Sequence, residues 1–83
     1  MLLHIGSDVS VHVRDVIMIL DREAAEHSAA TREFLKWAKA EDRLRSVLLG
    51  NEQPKSFVVT GECVYLSPIS SITLGRRAGQ IPE

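Results

Sequence analysis

An uninterrupted apolar run at residues 16–20, Val-Ile-Met-Ile-Leu, constrains the fold of this chain more than any other feature. A run this short and this rich in β-branched side chains predicts a strand that is covered on both faces. The cover is either a helix on one side and a neighbouring subunit on the other, or one folded sheet. A chain of 83 residues buries too little surface to be very stable alone, so we expect a homo-oligomer.

Short strand-like segments flank this run on both sides. Val9, Val11 and Val13 alternate with polar residues, which is the period of two expected of a half-buried strand. A later pair of segments predicts a hairpin closed through Gly61 and Glu62, with Gly61 at a positive φ. In that hairpin Phe57 and Val59 lie on one face and Val58 on the other. The predicted strands cover residues 2–5, 9–13, 16–20, 44–49, 56–60 and 63–66.

One long segment has the helical period instead. Residues 29–42 predict an amphipathic helix with Ser28 as its N-cap. Its predicted buried face consists of Ala30, Phe34, Trp37, Ala38 and Leu44. Residues 21–27 carry four charges and predict a surface loop, with a helix beginning at Asp21 as the alternative.

The end of the chain predicts one more helix. Ser70 and Ser71 provide an N-cap for a short helix over residues 72–78, followed by a flexible tail at residues 79–83. The whole pattern predicts a single α+β domain over residues 1–78. It contains a small antiparallel or mixed sheet of about five strands, one main amphipathic helix and a short C-terminal helix.

Cations form a stripe on the polar side of the main helix. Arg32, Lys36, Lys39 and Arg43 follow the spacing i, i+4, i+7 and i+11 and lie within about 60° of one another on a helical wheel. Only Glu33 is well placed to relieve their repulsion. The stripe is therefore either a solvated face or a site for an anion. Arg76 and Arg77 in the last helix extend this surface or simply complement the helix dipole.

Overall composition limits how nucleic acid could be bound. Ten basic and eleven acidic residues give a net charge of −1, so the chain is no polycation and DNA binding requires a local patch. The single cysteine, Cys63, excludes a disulfide within one chain and is typical of a reduced intracellular protein. The N-terminus lacks the pattern of a signal peptide. We therefore expect a cytoplasmic protein.

The titratable residues form no recognisable catalytic or metal site. His4, His12 and Cys63 on neighbouring strands are a conceivable metal-binding set, but their spacing matches no ligand signature, and ordinary strand histidines are the better interpretation. Ser28 follows His27, yet adjacency along the chain does not align a base with a nucleophile. We expect no enzymatic activity, no cofactor and no metal.

Several segments together resemble the RemA/RemB family of bacterial extracellular-matrix (biofilm) regulators, most closely its RemB branch. The matching segments are His4-Ile5-Gly6, Asp15-Val16-Ile17-Met18-Ile19-Leu20-Asp21, Ser28-Ala29 with Phe34-Leu35, Pro54-Lys55-Ser56-Phe57-Val58-Val59-Thr60, and Val64-Tyr65-Leu66-Ser67-Pro68-Ile69-Ser70-Ser71. The resemblance implies a small α+β protomer in a ring-like homo-oligomer. For the RemA branch it also implies a DNA-binding transcription factor that controls matrix genes.

One loop departs from that resemblance. RemA-type members carry arginines directly after the glycine that corresponds to Gly50, whereas here the loop reads Gly50-Asn51-Glu52-Gln53-Pro54-Lys55. Arg32 and Lys39 do coincide with basic positions of the RemA helix. We therefore expect non-enzymatic binding of double-stranded DNA through Arg32, Lys36, Lys39, Arg43, Arg14 and Lys55. The alternative is an oligomeric protein-interaction module that has lost the DNA-binding arginine loop.

Overall fold

The computed structural model describes residues 1–79, which form six strands, three α-helices and one 3-10 turn. The strands are β1 (Leu2–Gly6), β2 (Val9–His12), β3 (Val16–Asp21), β4 (Leu44–Ser46), β5 (Ser56–Thr60) and β6 (Val64–Ser67), and the helices are α1 (Arg22–His27), α2 (Ala29–Ala40) and α3 (Ser71–Gly79), with the 3-10 turn at Val13–Asp15. The predicted α+β class is confirmed. Gly79 belongs to α3, and residues 80–83 of the predicted tail lie outside the described residues.

The strands divide into two sheets, where the sequence predicted one sheet of about five strands. β1 and β2 form an antiparallel hairpin, and the other four strands form a central sheet in the order β3-β5-β6-β4. Within the central sheet β3, β5 and β6 are antiparallel, while β4 runs parallel to β6. The strands β3 and β4 are therefore the two edges of a mixed sheet. Within residues 1–79 no helix is long and apolar enough to cross a membrane.

The central sheet separates two small apolar clusters. Val58 points to the side of the β1–β2 hairpin, where it packs with Leu3, Ile5 and Leu74 of α3. Val59 points to the other side and packs with Ala38 of α2 and with Phe57, so the predicted alternation along β5 is confirmed. The order of layers is hairpin and α3, central sheet, then α2.

The strand predicted to be covered on both faces is left exposed at Ile17 and Met18, between a half-buried Val16 and a half-buried second half. Ile19 packs towards the hairpin and Leu20 towards α2, but Ile17 and Met18 are 64% and 44% exposed. The register of β3 against β5 shifts at this point, since Val16 pairs with Thr60 and Met18 already pairs with Val59. Ile17 is thus the extra residue of a β-bulge, which breaks the period of two and leaves two successive apolar side chains exposed.

The surface loop predicted at residues 21–27 is wrong, because residues 22–27 form α1 and Asp21 caps it. The Asp21 side chain accepts hydrogen bonds from the backbone N–H groups of Glu23 (2.9 Å) and Ala24 (3.3 Å), which caps the helix. Its other oxygen accepts a bond from the Ser71 hydroxyl at 3.0 Å. Asp21 therefore joins the starts of α1 and α3.

Asp21→Ala is expected to lower the midpoint of thermal unfolding by about 5 °C at neutral pH, because α1 loses its cap and its link to α3. The Ser71 hydroxyl first, and then the Ala24 N–H, hold the pKa of Asp21 below its ordinary value of 3.8. A lowered folded-state pKa stabilises the protein fully above the ordinary value, and this stabilisation is lost as the pH falls through the lowered pKa. Thermal melts followed by circular dichroism should therefore show the unfolding midpoints of the wild type and Asp21→Ala converging in acid.

The matched control for this experiment is Asp21→Asn, which keeps an oxygen acceptor but does not titrate. It should melt between the wild type and Asp21→Ala at neutral pH. A deficit of Asp21→Ala that stays undiminished as the pH falls from neutral into strong acid would contradict the assigned role.

The main helix begins as predicted and ends earlier. The Ser28 hydroxyl accepts a hydrogen bond from the Thr31 N–H at 3.2 Å, so the predicted N-cap is confirmed. The helix stops at Ala40 because Asp42 takes a left-handed conformation with φ 57°. The predicted buried face is partly wrong, since Ala30 is exposed and Trp37 is 51% exposed.

The turn between β5 and β6 differs in detail from the prediction, whereas the cap of α3 agrees with it. The turn between β5 and β6 is closed by the Thr60 N–H donating to the Cys63 carbonyl at 2.9 Å, and by the Cys63 N–H donating to the Thr60 hydroxyl. Gly61 is not among the residues with positive φ, so that prediction is wrong. At α3 the Ser70 hydroxyl accepts from the Thr73 N–H, which confirms the predicted cap.

Candidate nucleic-acid interface

Three of the predicted cations share the solvent side of α2. Arg32, Lys36 and Lys39 are all exposed and all lie within the observed helix. Among the described residues neither Lys36 nor Lys39 forms an ion pair, and Glu33 does not bridge to Lys36. We call these three side chains the α2 stripe. Since no ion pair within residues 1–79 holds the two lysines, the stripe can receive an anion without first breaking such a pair.

Arg32 has a structural bond as well as its place in the α2 stripe. Its guanidinium donates to the backbone carbonyl of Glu26 in the last turn of α1. That carbonyl has no helical partner of its own, because the helix ends one residue later at His27. Arg32 therefore fixes the junction between α1 and α2, whereas Lys36 and Lys39 stay free to reorient.

Arg43 does not belong to the α2 stripe, so the prediction that it continues the helical row of cations is wrong. The left-handed turn at Asp42 takes the chain out of the helix before Arg43 is reached. Its guanidinium lies 5.6 Å from the centroid of the Trp37 ring and donates to the Glu62 carbonyl at 3.2 Å. These contacts hold Arg43 against the turn between β5 and β6.

The structure places the other predicted cations away from the α2 stripe. Arg14 lies in the 3-10 turn before β3, beside the β5–β6 turn, whereas Lys55 precedes β5 and thus lies at the opposite end of the sheet. Arg76 and Arg77 are exposed on α3, which packs on the hairpin side of the central sheet and not on the α2 side. The arginines of α3 therefore do not extend the α2 stripe.

The candidate metal and nucleophilic residues do not assemble into a site. His4 pairs with Ser10 and His12 with Leu2, so the two histidines are not directly opposed on their strands. Within residues 1–79 no group of three or more His, Cys, Asp or Glu side chains is arranged to hold a metal ion. Hydrogen bonding with the Cys63 side chain, together with partial burial, raises the pKa of Tyr65, so this phenol is uncharged at neutral pH.

Comparison with known proteins identifies the family. Residues 2–78 match the family model described as RemA-like, "Extracellular matrix regulatory protein A-like". The chain belongs to the RemA-like family. It is also 42% identical over 78 residues to Extracellular matrix regulatory protein B of Bacillus subtilis (strain 168), a match that covers 94% of this chain and 90% of that protein. The resemblance that the sequence motifs indicated is therefore confirmed.

The loop after Gly50 has a structural use in this RemA-like chain. Gly50 takes a left-handed conformation with φ 55°. The Glu52 carboxylate accepts from the Leu49 N–H at 2.6 Å, and the Glu52 N–H donates to the Leu49 carbonyl at 3.0 Å. The family resemblance implies arginines at this position in the loop. Here the position holds Glu52, whose carboxylate bonds to the backbone of its own loop. This loop therefore presents no phosphate-binding cluster.

Sequence reasoning also missed a feature beside the α2 stripe. Trp37 was assigned to the buried face but is half exposed, and its ring is stacked with Phe34 at a centroid distance of 6.3 Å. Ala38 is fully buried in the apolar cluster against the central sheet, and Trp37 does not belong to that cluster. The repeat of Phe34 and Ala38 at i, i+4 is the signal that could have shown this.

Proposed function

We propose that this RemA-like protein is a cytoplasmic, homo-oligomeric transcriptional regulator of extracellular-matrix genes, and that it binds double-stranded DNA through the α2 stripe. The observation that carries the proposal is the pair of exposed, unpaired lysines, Lys36 and Lys39, one helical turn apart beside Arg32. The proposed regulation of extracellular-matrix genes is supported by the name of the relative, Extracellular matrix regulatory protein B.

The binding is expected to rest on contacts with phosphates. With three cations on one helix face, each protomer can contact only a few DNA phosphates. Such contacts carry no direct sequence information. An oligomer repeats the same stripe, so the number of phosphate contacts rises with the number of copies that engage one duplex. Sequence preference then comes from the shape and curvature of the DNA and not from base edges.

The test is a fluorescence-anisotropy titration of a labelled duplex of about 30 base pairs over a salt series starting near 50 mM. Lys36→Glu combined with Lys39→Glu should weaken binding at least about tenfold and flatten the salt dependence, since each lost phosphate contact reduces the slope by about 0.9. These two residues are preferred to Arg32 because Arg32 also holds the Glu26 carbonyl.

The matched control is Arg76→Glu combined with Arg77→Glu. It changes the net charge by the same amount on the hairpin side of the sheet, where both arginines are exposed. Equal weakening by the two double variants would show a general charge effect and would contradict the α2 stripe as the contact. Absence of any binding by the wild type at about 50 mM salt would contradict DNA binding itself.

The loop closed by Glu52 favours a second candidate function, an oligomeric protein-interaction module. In that case the assembly is retained while the arginine-rich contact implied by the family is replaced by an acidic, internally bonded loop. An assembled wild type that leaves the duplex free at low salt supports this second function. A wild type that purifies with bound DNA excludes it.

A further inference from the structure

Trp37 presents an exposed aromatic ring on the same helix as the α2 stripe. The residue is 51% exposed, yet its ring is held in place, because Phe34 stacks on it and the Arg43 guanidinium lies 5.6 Å from its centroid. Arg43 is itself held by its bond to the Glu62 carbonyl at 3.2 Å. An indole that is exposed but already held loses little freedom when a flat ligand stacks on it.

The Trp37 ring lines a groove of about 240 Å³ between the start of β3 and α2. Apolar side chains form much of the wall of this groove, including Met18 and Val59. The charged residues that line it are Arg43 and Glu62, which have opposite signs, and Arg43 already places a cation against the indole. The groove therefore suits a flat, uncharged group.

A short path on the surface of α2 connects the ring with the lysines of the α2 stripe. Residues three or four apart are neighbours on a helix surface. Ala40 is therefore a neighbour of both Trp37 and Lys36. Lys36 is in turn a neighbour of Lys39. All four residues are exposed, and an alanine side chain is too small to separate the ring from the cations. A ligand that lies over Ala40 thus reaches both the ring and the stripe.

Acidic side chains restrict where a phosphate can lie on this face. Glu33 and Glu41 are four residues before and after Trp37, so they are its neighbours along the helix. Glu62 lines the groove. These carboxylates repel a phosphate placed directly over the ring, whereas Lys36 attracts it beyond Ala40. The backbone of an anionic ligand therefore follows the α2 stripe, and only an uncharged part of the ligand enters the groove.

We propose that this face of α2 binds single-stranded DNA, with one unpaired base stacked in the groove beside Trp37 and the neighbouring phosphates on Lys36 and Lys39. Proteins that bind single strands combine these two elements, a cationic track for the backbone and an aromatic side chain for the bases. A duplex offers the same phosphates but keeps its bases paired and stacked. The inference rests on the α2 stripe of the proposed function and adds the unpaired base as a second element of the ligand.

The test compares two strands of equal charge. One is oligo-dT of about 15 nucleotides, and the other is an abasic strand of the same length, which keeps the phosphates and lacks the bases. The wild type should bind oligo-dT at least about fivefold more tightly, the lower limit for one stacked base. Because the chain contains a single tryptophan, its intrinsic fluorescence reports on Trp37 alone and should be quenched by oligo-dT but not by the abasic strand.

Substitution of Trp37 should remove the preference between the strands. In anisotropy titrations with labelled strands, Trp37→Ala should bind oligo-dT at least about fivefold more weakly and leave the abasic strand unaffected. Trp37→Phe keeps an aromatic ring and should retain most of the preference. Lys36→Glu combined with Lys39→Glu should weaken both strands, since both carry the phosphates. Circular dichroism checks that each variant is folded.

Two exposed alanines provide a matched pair for the path between the ring and the stripe. Ala40→Glu places a carboxylate between Trp37 and Lys36, so it should weaken the binding of oligo-dT at least about fivefold. Ala24→Glu adds the same charge at an exposed position of α1, which does not line the groove. Its effect should be much smaller. Equal weakening by the two variants would contradict the path over Ala40.

Three further results would overturn the inference. They are equal binding of oligo-dT and the abasic strand by the wild type, an equal loss on both strands in a folded Trp37→Ala variant, and tighter binding of oligo-U than of oligo-dT, which would assign the site to RNA. An effect of the substitution on assembly would weaken both strands alike, so the abasic strand distinguishes it from lost stacking. If Trp37→Ala does not fold, the wild-type comparison and the quenching still decide.

The duplex titration separates this inference from the proposed function. A wild type that binds the duplex but does not distinguish oligo-dT from the abasic strand contradicts only the stacked base. Trp37-dependent binding of oligo-dT without binding of the duplex contradicts only the double-stranded ligand.

Discussion

Gly6→Ala is expected to lower the free energy of unfolding by about 3 kcal/mol or more, a large fraction of the stability of a small domain. Gly6 has φ 135°, in a region that side chains rarely adopt. A Cβ at this position would lie 2.7 Å from Cδ of Pro68 and 3.1 Å from Cγ2 of Val47. The rigid Pro68 ring cannot rotate away, so the hairpin must separate from the central sheet.

Such a separation would also break a buried hydrogen bond. The hydroxyl of the buried Ser67 donates to the carbonyl of Ile5 at 2.5 Å, directly beside Gly6. Loss of this bond would leave a buried polar group without its partner, which costs about 1–3 kcal/mol. Strain, steric overlap and the unpaired polar group therefore all destabilise the folded protein.

Urea denaturation followed by circular dichroism measures this effect. The matched control is Gly61→Ala, because a Cβ there meets nothing within 4 Å and the φ of Gly61 is not positive. The control should stay within about 0.5 kcal/mol of the wild type. A Gly6→Ala protein that unfolds at the same urea concentration as Gly61→Ala would show that the hairpin is not held against the sheet as described.

Leu74→Ala is expected to cost about 2–5 kcal/mol, because it removes a completely buried side chain and leaves a cavity. Leu74 is 0% exposed and packs with Leu3, Ile5 and Val58 between α3 and the two sheets. With only two small apolar clusters in the described residues, the remaining side chains have little capacity to fill the space. The same urea experiment, performed at fixed protein concentration, measures the loss.

Ile72→Ala is the comparison within the same helix. Ile72 is 72% exposed, so its truncation should change the stability of the protomer by less than about 0.5 kcal/mol. If Ile72 contacts a neighbouring copy, its effect should appear only as a weaker dependence of stability on protein concentration. A Leu74→Ala variant as stable as Ile72→Ala would mean that α3 is not part of the core.

Much of the fold was predictable where neighbouring residues determine it. The Ser28 and Ser70 caps and the alternation of Phe57, Val58 and Val59 depend on contacts within a few residues, and all were confirmed. The one short helix that was missed, α1, is capped by Asp21. A helix beginning at Asp21 is the alternative that the sequence leaves open, but the four charges of residues 21–27 favour a loop.

The candidate site was predicted less well, because its residues depend on where helices end and how strands pair. Arg43 continues the i, i+4, i+7, i+11 spacing perfectly, yet the left-handed Asp42 ends the helix first and Arg43 packs on Trp37. The exposure of Ile17 follows from a bulge that arises only when β3 pairs with β5. Neither feature is visible in the periodicity of one segment.

The sequence by itself determined the α+β class, the RemA-like family and the presence of cations on the polar face of α2, since local periodicity, capping residues and segment motifs carry that information. Only the tertiary structure decided which cations share a face, which apolar side chains are exposed and why Gly6 is required. Those properties arise from contacts between residues far apart in the chain, such as Gly6 with Pro68 and Val16 with Thr60. The helix end, the strand register and the packing of layers fix these contacts, and no single segment contains them.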